Sequence, residues 1–226
     1  MELNADFDKR VVMHADEIEW LSSPIPGVDR RMLDRIGDEV ARATTIVRYA
    51  PKSEFSPHVH TGGEEFIVLA GVFQDEHGDF PVGSYIRNPP TSRHTPGSDK
   101  GCVIFVKLWQ FDLDDRTPVK IDMNKMGMVR DADRPSVSVM PLFLDKRETV
   151  QMETWEAEAE INLDLPEGGE FLVLDGEFSE TGDRFRAHSW LRIPKGGRLN
   201  ARAGQQGAKV WIKTRHLRYV DAPVAT

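Results

Sequence analysis

A chain of 226 residues is long enough for one large domain or two small ones, each with its own core. Acidic residues outnumber basic ones by 37 to 29, giving a net charge of -8 with no Lys/Arg block against it, so a nucleic-acid surface is excluded as an expectation. The one cysteine, Cys102, rules out a disulfide framework and a cysteine-rich zinc cluster, and it fits a reducing cytosol.

The N-terminus, Met1-Glu2-Leu3-Asn4-Ala5-Asp6, has neither the basic nor the apolar region of a signal peptide, so a cytoplasmic location is expected. No apolar run approaches membrane-spanning length. The densest lies near Val103-Ile104-Phe105-Val106, and no membrane partner is expected. Along the chain, residues 32–36 have the pattern of a short helix. Residues 44–49, 66–73, 83–86 and 103–109 are short apolar segments broken by Gly, Pro and Asp, which favours strands. Turns are predicted at Glu76-His77-Gly78-Asp79 and Glu180-Thr181-Gly182-Asp183.

The chain also matches itself. Glu65-Phe66-Ile67-Val68-Leu69-Ala70-Gly71 aligns with Glu170-Phe171-Leu172-Val173-Leu174-Asp175-Gly176, an offset of 176 − 71 = 105. The same offset takes Phe73 to Phe178, Tyr85 to Trp190, Arg87 to Arg192 and Pro89 to Pro194. Gly101 then meets Gly207 at an offset of 106, so one residue has been inserted in between. Colinear matches over such a stretch indicate a duplicated unit. Many short strands without a long helix point to an all-β sandwich or barrel, here present twice. The expected domains are residues 1–123 and 138–226, joined by a polar linker at 124–137.

The chemistry is concentrated in the first copy. His58 and His60 stand at i and i+2 of a predicted strand and share a face. Glu64 follows after Gly62-Gly63, and His94 arrives about thirty residues later. Three imidazoles and a carboxylate are the ligand set of a borderline divalent metal. The other histidines, His14, His77, His188 and His216, have no partner at ligand spacing, and His77 falls in a predicted solvated turn. Tyr85 and Arg87 persist in the second copy as Trp190 and Arg192, which favours packing or an ion pair. Arg93 adjoins His94 and is expected to face the opposite way. Cys102, replaced by Ala208 in the second copy, reads as a reactive thiol or, the commoner state, a buried inert one, and Trp109 and Trp155 read as core or rim aromatics.

His58-x-His60-x3-Glu64-x6-Gly71 resembles the first motif of the cupin superfamily, and Gly83-x5-Pro89-x-Thr91-x2-His94 resembles the second. Thr91 stands where the second motif often has glycine, and Ser98 where it usually has asparagine. The stretch from Pro57 to Trp109, with Gly62-Gly63-Glu64-Glu65, Arg87-Asn88-Pro89-Pro90 and Arg93-His94-Thr95, is similar to the cupin-like domain of ChrR-type anti-sigma factors. The resemblance implies a jelly-roll barrel with a metal inside one end. Its spacing selects Glu64 as the carboxylate ligand, with Glu65 in reserve. The repeat agrees: the offset places Leu163, Leu165, Gly169 and Leu199 at the positions of His58, His60, Glu64 and His94, while Glu170 is kept opposite Glu65. The second copy is therefore expected to hold no metal. Its leucines either fill the barrel or bind an apolar ligand or partner.

Two functional classes follow from the resemblance. One is a ChrR-like sensory or regulatory module without the N-terminal zinc domain that holds a sigma factor; the other is a metal-dependent dioxygenase or related small-molecule enzyme. A bicupin scaffold with incidental metal is a third. The expected cofactor is one divalent ion, zinc foremost, with iron, manganese or nickel as alternatives. The expected partners are a small molecule near the metal and, for the regulatory class, a sigma factor. The chain is expected as a monomer or homodimer.

Overall fold

The computed structural model describes residues 1–38, 40–220 and 223. The chain forms two compact units, one of Met1–Ala5 with Glu19–Met126 and the other of Asp6–Ile18 with Gly127–Val220. Both are built almost wholly of antiparallel strands.

In the first unit the strand order is Glu2–Leu3, Val28–Gly37, Ala41–Tyr49, Cys102–Leu108, Glu64–Asp75, Ser84–Asn88 and Val119–Asp122. Glu64–Asp75 is shared between two layers. Its first part pairs with Ser84–Asn88 and Cys102–Leu108, and its last residues pair with Gly78–Pro81 and Gly97–Ser98. Alternation sends Phe66 and Val68 inward, where they meet Phe73, Ile86, Ile104 and Val106.

The second unit repeats this plan in the order Val129–Arg130, Val137–Leu144, Thr149–Trp155, Gly197–Thr214, Gly169–Glu180, Ser189–Ile193 and Val11–His14. Register shows the equivalence directly. Gly71 lies opposite Cys102, and Gly176 opposite Ala208. The second ladder slips between Gly176 and Phe178, and both ladders slip at one equivalent place, between Val68 and Ala70 in the first unit and between Val173 and Asp175 in the second. The slip leaves Leu69 and Leu174 as bulged residues at the repeat offset. A bulge bends and twists a strand, which lets one strand serve two layers.

Two expectations change. Residues 32–36 are not helical but lie within the strand Val28–Gly37. A bulge between Met32 and Asp34 makes Leu33, Asp34 and Arg35 buried in succession, and this breaks the period-two pattern that would have revealed a strand. The expected first domain, residues 1–123, also includes a segment that the structure groups elsewhere. Val11–His14 pairs with Ser189–Ile193 and completes the sheet of the second unit. Val119–Asp122 does the same beside Ser84–Asn88 in the first unit. A strand supplied from the start of the chain has no copy in the repeat, so self-comparison cannot place it. Within residues 124–137, Val129–Arg130 pairs with Val137–Leu144 and belongs to the second unit.

Gly71 and Gly176 carry the bend, with φ of +69° and +68°. A Cβ would lie 2.1 Å from the Gly101 carbonyl oxygen at the first and 2.2 Å from that of Gly207 at the second. Backbone cannot retreat as a side-chain tip can. Gly71→Ala and Gly176→Ala should each cost more than about 1 kcal/mol in urea unfolding of their unit. A neutral result at either position would break the proposed equivalence of the two bends.

Candidate metal centre

The site is assembled by short-range backbone pairing. His58–Val59 and Arg93–His94 form a two-residue antiparallel ribbon in which His94 lies directly opposite His58. Residues opposite each other in such a pair project to the same face. The ribbon continues in two hydrogen bonds: the His60 amide donates to the Ser92 carbonyl and the Thr91 amide to the His60 carbonyl, both at 2.9 Å. Arg93, next in line, is exposed, as alternation requires.

Thr91 has φ +73°, the left-handed region, which explains why the motif favours glycine there. The second unit has Gly196, at the repeat offset, with φ +75°. The Gly62-Gly63 turn that delivers Glu64 is equally constrained. A Cβ on Gly62 would meet the Trp109 ring at 2.0 Å, and one on Gly63 the Phe111 ring at 2.5 Å.

The imidazoles of His58, His60 and His94 converge, each offering a ring nitrogen within 4.8 Å of the others. His60 Nε2 is 2.9 Å from His94 Nε2. Glu64 Oε2 lies 3.4 Å from His60 Nε2 and 3.7 Å from His94 Nε2. Ligand atoms held about 2.1 Å from one ion stand roughly 3.0–3.4 Å apart, so this donor set fits a divalent metal in both spacing and chemistry. His60, Glu64 and His94 are buried, whereas His58 is exposed.

Three of the four groups have a support behind them. His58 Nδ1 lies 3.2 Å from the Ser56 carbonyl oxygen, and His94 Nδ1 lies 3.3 Å from Asp75 Oδ2. With Nδ1 donating, Nε2 keeps the lone pair that faces the site. Asn88 Nδ2 donates to Glu64 Oε2 at 3.0 Å, from the position opposite Glu64 in the neighbouring strand. Sequence reasoning did not single out Asp75 or Asn88. Asn88 left a signal, because its repeat counterpart is Ile193 and it loses polarity together with the four candidate ligands. Asp75 left none, because its counterpart, Glu180, is also acidic.

The titrations diverge. Burial, with the neighbouring histidines, holds His60 below the ordinary imidazole range against the opposing charge of Glu64. Burial also pulls on His94, but the Asp75 hydrogen bond and the charges of Glu64, Asp75 and Glu76 outweigh it and raise its pKa. Asp75 is lowered despite its burial, by His94 and the His77 amide.

Glu65 projects to the opposite face and accepts from Tyr85 Oη at 2.5 Å. Glu170 repeats the arrangement, with Trp190 Nε1 at 3.3 Å and His216 Nε2 at 2.9 Å. Arg87 pairs with Asp115 at 2.9 Å and lies over the Phe111 ring, and Arg192 lies over Phe7. Ser98, where the motif usually has asparagine, donates to the Val72 carbonyl at 2.6 Å. Cys102 is buried, which pushes its thiol up to about 11. His77 is exposed in its turn, His14 bonds Ser189, Trp155 is in the core, and Trp109 lies half-buried against Gly62.

In the second unit, Leu163 lies opposite Leu199, as His58 lies opposite His94. Leu165 and Leu199 belong to the hydrophobic core, with Leu163 packed against it. The same backbone thus presents ligand atoms in one unit and methyl groups in the other.

Residues 8–112 match the sequence family described as the ChrR cupin-like domain. The fold is similar to that of a Nostoc punctiforme protein proposed to be a dioxygenase, with a TM-score of 0.70 and 14% identity over 100% of this chain and 86% of that one. It is also similar to Ylba of E. coli, with a TM-score of 0.69 and 12% identity over 93% of each chain. The bacterial pirin YhhW of Escherichia coli, solved with nickel(II), gives a TM-score of 0.63 and 13% identity over 91% of this chain and 98% of that one. No curated protein matches the chain in sequence. The chain is therefore an all-β protein of jelly-roll architecture, similar over residues 8–112 to the ChrR cupin-like domain, with a three-histidine cluster in its first unit. Among the described residues, no helix is long and apolar enough to cross a membrane.

Thr91→Gly should leave the fold unchanged and raise stability by up to about 1 kcal/mol in urea unfolding. Relief of left-handed strain, ~1–2 kcal/mol, exceeds the entropy cost of glycine, ~0.5–1 kcal/mol. A clear loss of stability would show that the Thr91 side chain makes a contact stronger than its strain.

Proposed function

We propose that the first unit binds one divalent metal through His58, His60, Glu64 and His94, and that the protein is a metal-dependent enzyme of the dioxygenase type acting on a small molecule. In this reading the second unit is a cupin without a metal. The observation that carries it is the uneven burial of the donor set: three groups are enclosed and His58 is exposed, so one flank of the site is open to solvent. Four protein ligands on a six-coordinate ion would leave two positions, enough for a substrate that binds through oxygen, or for substrate and dioxygen. When bound, the metal supplies Lewis acidity and a place for oxygen chemistry.

The chain's own groups do the positioning. Ser56 fixes the exposed His58 ring, and Asn88 fixes Glu64. Tyr49 meets Phe55 at a tilt with ring centroids 4.7 Å apart, and the Phe73 ring lies 5.7 Å from that of His94, so the inner flank is aromatic and sheds water. Iron and manganese suit this open arrangement. A second reading, a ChrR-like sensor, is favoured by the match over residues 8–112. There zinc in a closed four-coordinate site would serve sensing or structure.

Metal analysis of purified protein should find one equivalent per chain. Nitric oxide added to the Fe(II)-loaded protein should bind and give its paramagnetic signal; absence of binding would favour the closed, sensory site. His94→Ala and Glu64→Gln should lose metal sharply in a chelator-competition titration, and Glu65→Gln should not. The thermal shift on metal addition should shrink in parallel, since a ligand at 100 times its Kd stabilises by about 2.7 kcal/mol. If Glu65→Gln strips the metal and Glu64→Gln does not, the ligand register is wrong by one residue.

Acid should also release the metal. Imidazole ligates only when neutral, so protons compete and affinity falls as pH drops through and below roughly 6.5. The raised pKa of His94 in the metal-free chain makes it the first of the buried pair to take a proton. Metal uptake near neutral pH should therefore release protons, measurable in weakly buffered solution. Affinity independent of pH between 5 and 8 would contradict histidine ligation.

A further inference from the structure

We infer that Asp75 is a positioning residue for the metal centre: its carboxylate fixes the His94 ring, and the hairpin end that carries it clamps the loop bearing that histidine. This inference rests on the metal reading above. Asp75 ends the long strand Glu64–Asp75, remote in sequence from every candidate ligand but Glu64. Its two oxygens have separate tasks. Oδ1 accepts from the His77 amide at 2.7 Å and closes the turn, while Oδ2 reaches His94 Nδ1 at 3.3 Å. The next residue, Glu76, accepts from the Thr95 amide at 2.8 Å. Two successive carboxylates therefore grip His94 and Thr95, one by the side chain and one by the backbone.

The second unit supplies an internal control. Glu180 occupies the position of Asp75, but Leu199 replaces His94, and Glu180 turns to the Arg10 guanidinium instead. Where the histidine is gone, the acidic residue has found another partner. A carboxylate behind a ligating imidazole fixes the tautomer, aims Nε2 and raises its basicity. A ligand on a two-residue ribbon has little else to aim it.

The test uses the full chain, stripped of metal and titrated with Co(II) against a chelator. In Asp75→Ser the hydroxyl can still cap the His77 amide but is too short to reach His94. Asp75→Asn keeps one acceptor oxygen at the right distance, which can serve either His94 Nδ1 or the His77 amide, and replaces the other oxygen with an NH2 donor. Asp75→Ser should bind Co(II) about 10–100-fold more weakly and shift the visible absorption of the bound ion, with the metal-free melting temperature nearly unchanged. Asp75→Asn should fall between Asp75→Ser and the wild type in affinity and spectrum, since its single oxygen can accept from His94 only by giving up the His77 amide. Wild-type affinity and spectrum in Asp75→Ser would overturn the inference while leaving the metal site intact. So would an affinity loss matched by collapse of the metal-free melting transition, because that is a purely structural role. If the wild-type chain takes up no Co(II), the metal reading fails and this one fails with it.

Discussion

The pairing of His58 with His94 across a two-residue ribbon is the constraint on which the site depends. Gathering three imidazoles and a carboxylate into a buried space is costly unless something offsets the desolvation and the mutual crowding. So short a ribbon has few hydrogen bonds of its own, and neighbouring contacts must brace it. The backbone bonds between His60 and Thr91-Ser92 extend it on one side. On the other, Trp109 and Phe111 pack on Gly62 and Gly63 so closely that no side chain fits. Glu64 then enters on a strand whose register is held along its length by Cys102–Leu108 and Ser84–Asn88.

The two units separate scaffold from chemistry. Both keep the bend glycine, the bulged leucine and the left-handed residue before the ligand position. Where the first has imidazoles, the second has leucines that join the core. The scaffold therefore does not require metal to close, since methyl groups fill the same space. The first unit instead carries polar groups that would be unfavourable in an apolar barrel, along with Asn88 and Asp75 to hold them.

A second shared feature lies on the opposite face of the same strands. Glu65 sits between Arg87 and Lys107 in cross-strand register, and Glu170 sits between Arg192 and Lys213. All six are buried. A carboxylate flanked by two cations can remain charged without water, whereas removing one member would strand the rest. That both units keep the row while only one keeps the ligands argues that it serves the architecture. It also explains why Glu65, adjacent to Glu64, is engaged elsewhere.

The β class and the duplication were legible along the chain, and spacing and repeat singled out His58, His60, Glu64 and His94 as candidates. Period-two alternation, turn residues and ligand spacing are local, and the offset of 105 made each half a control for the other. Only the tertiary structure decided what depends on approach between distant segments. A bulge at Leu33 hid a strand behind a helix-like pattern, and a strand near the chain start went to the second unit without leaving a repeat to betray it. The support from Asp75 to His94 was invisible for a related reason. A hydrogen bond between a hairpin end and a ribbon nineteen residues away depends on how the strand bends, and the bend is set by packing rather than by any pattern along the chain.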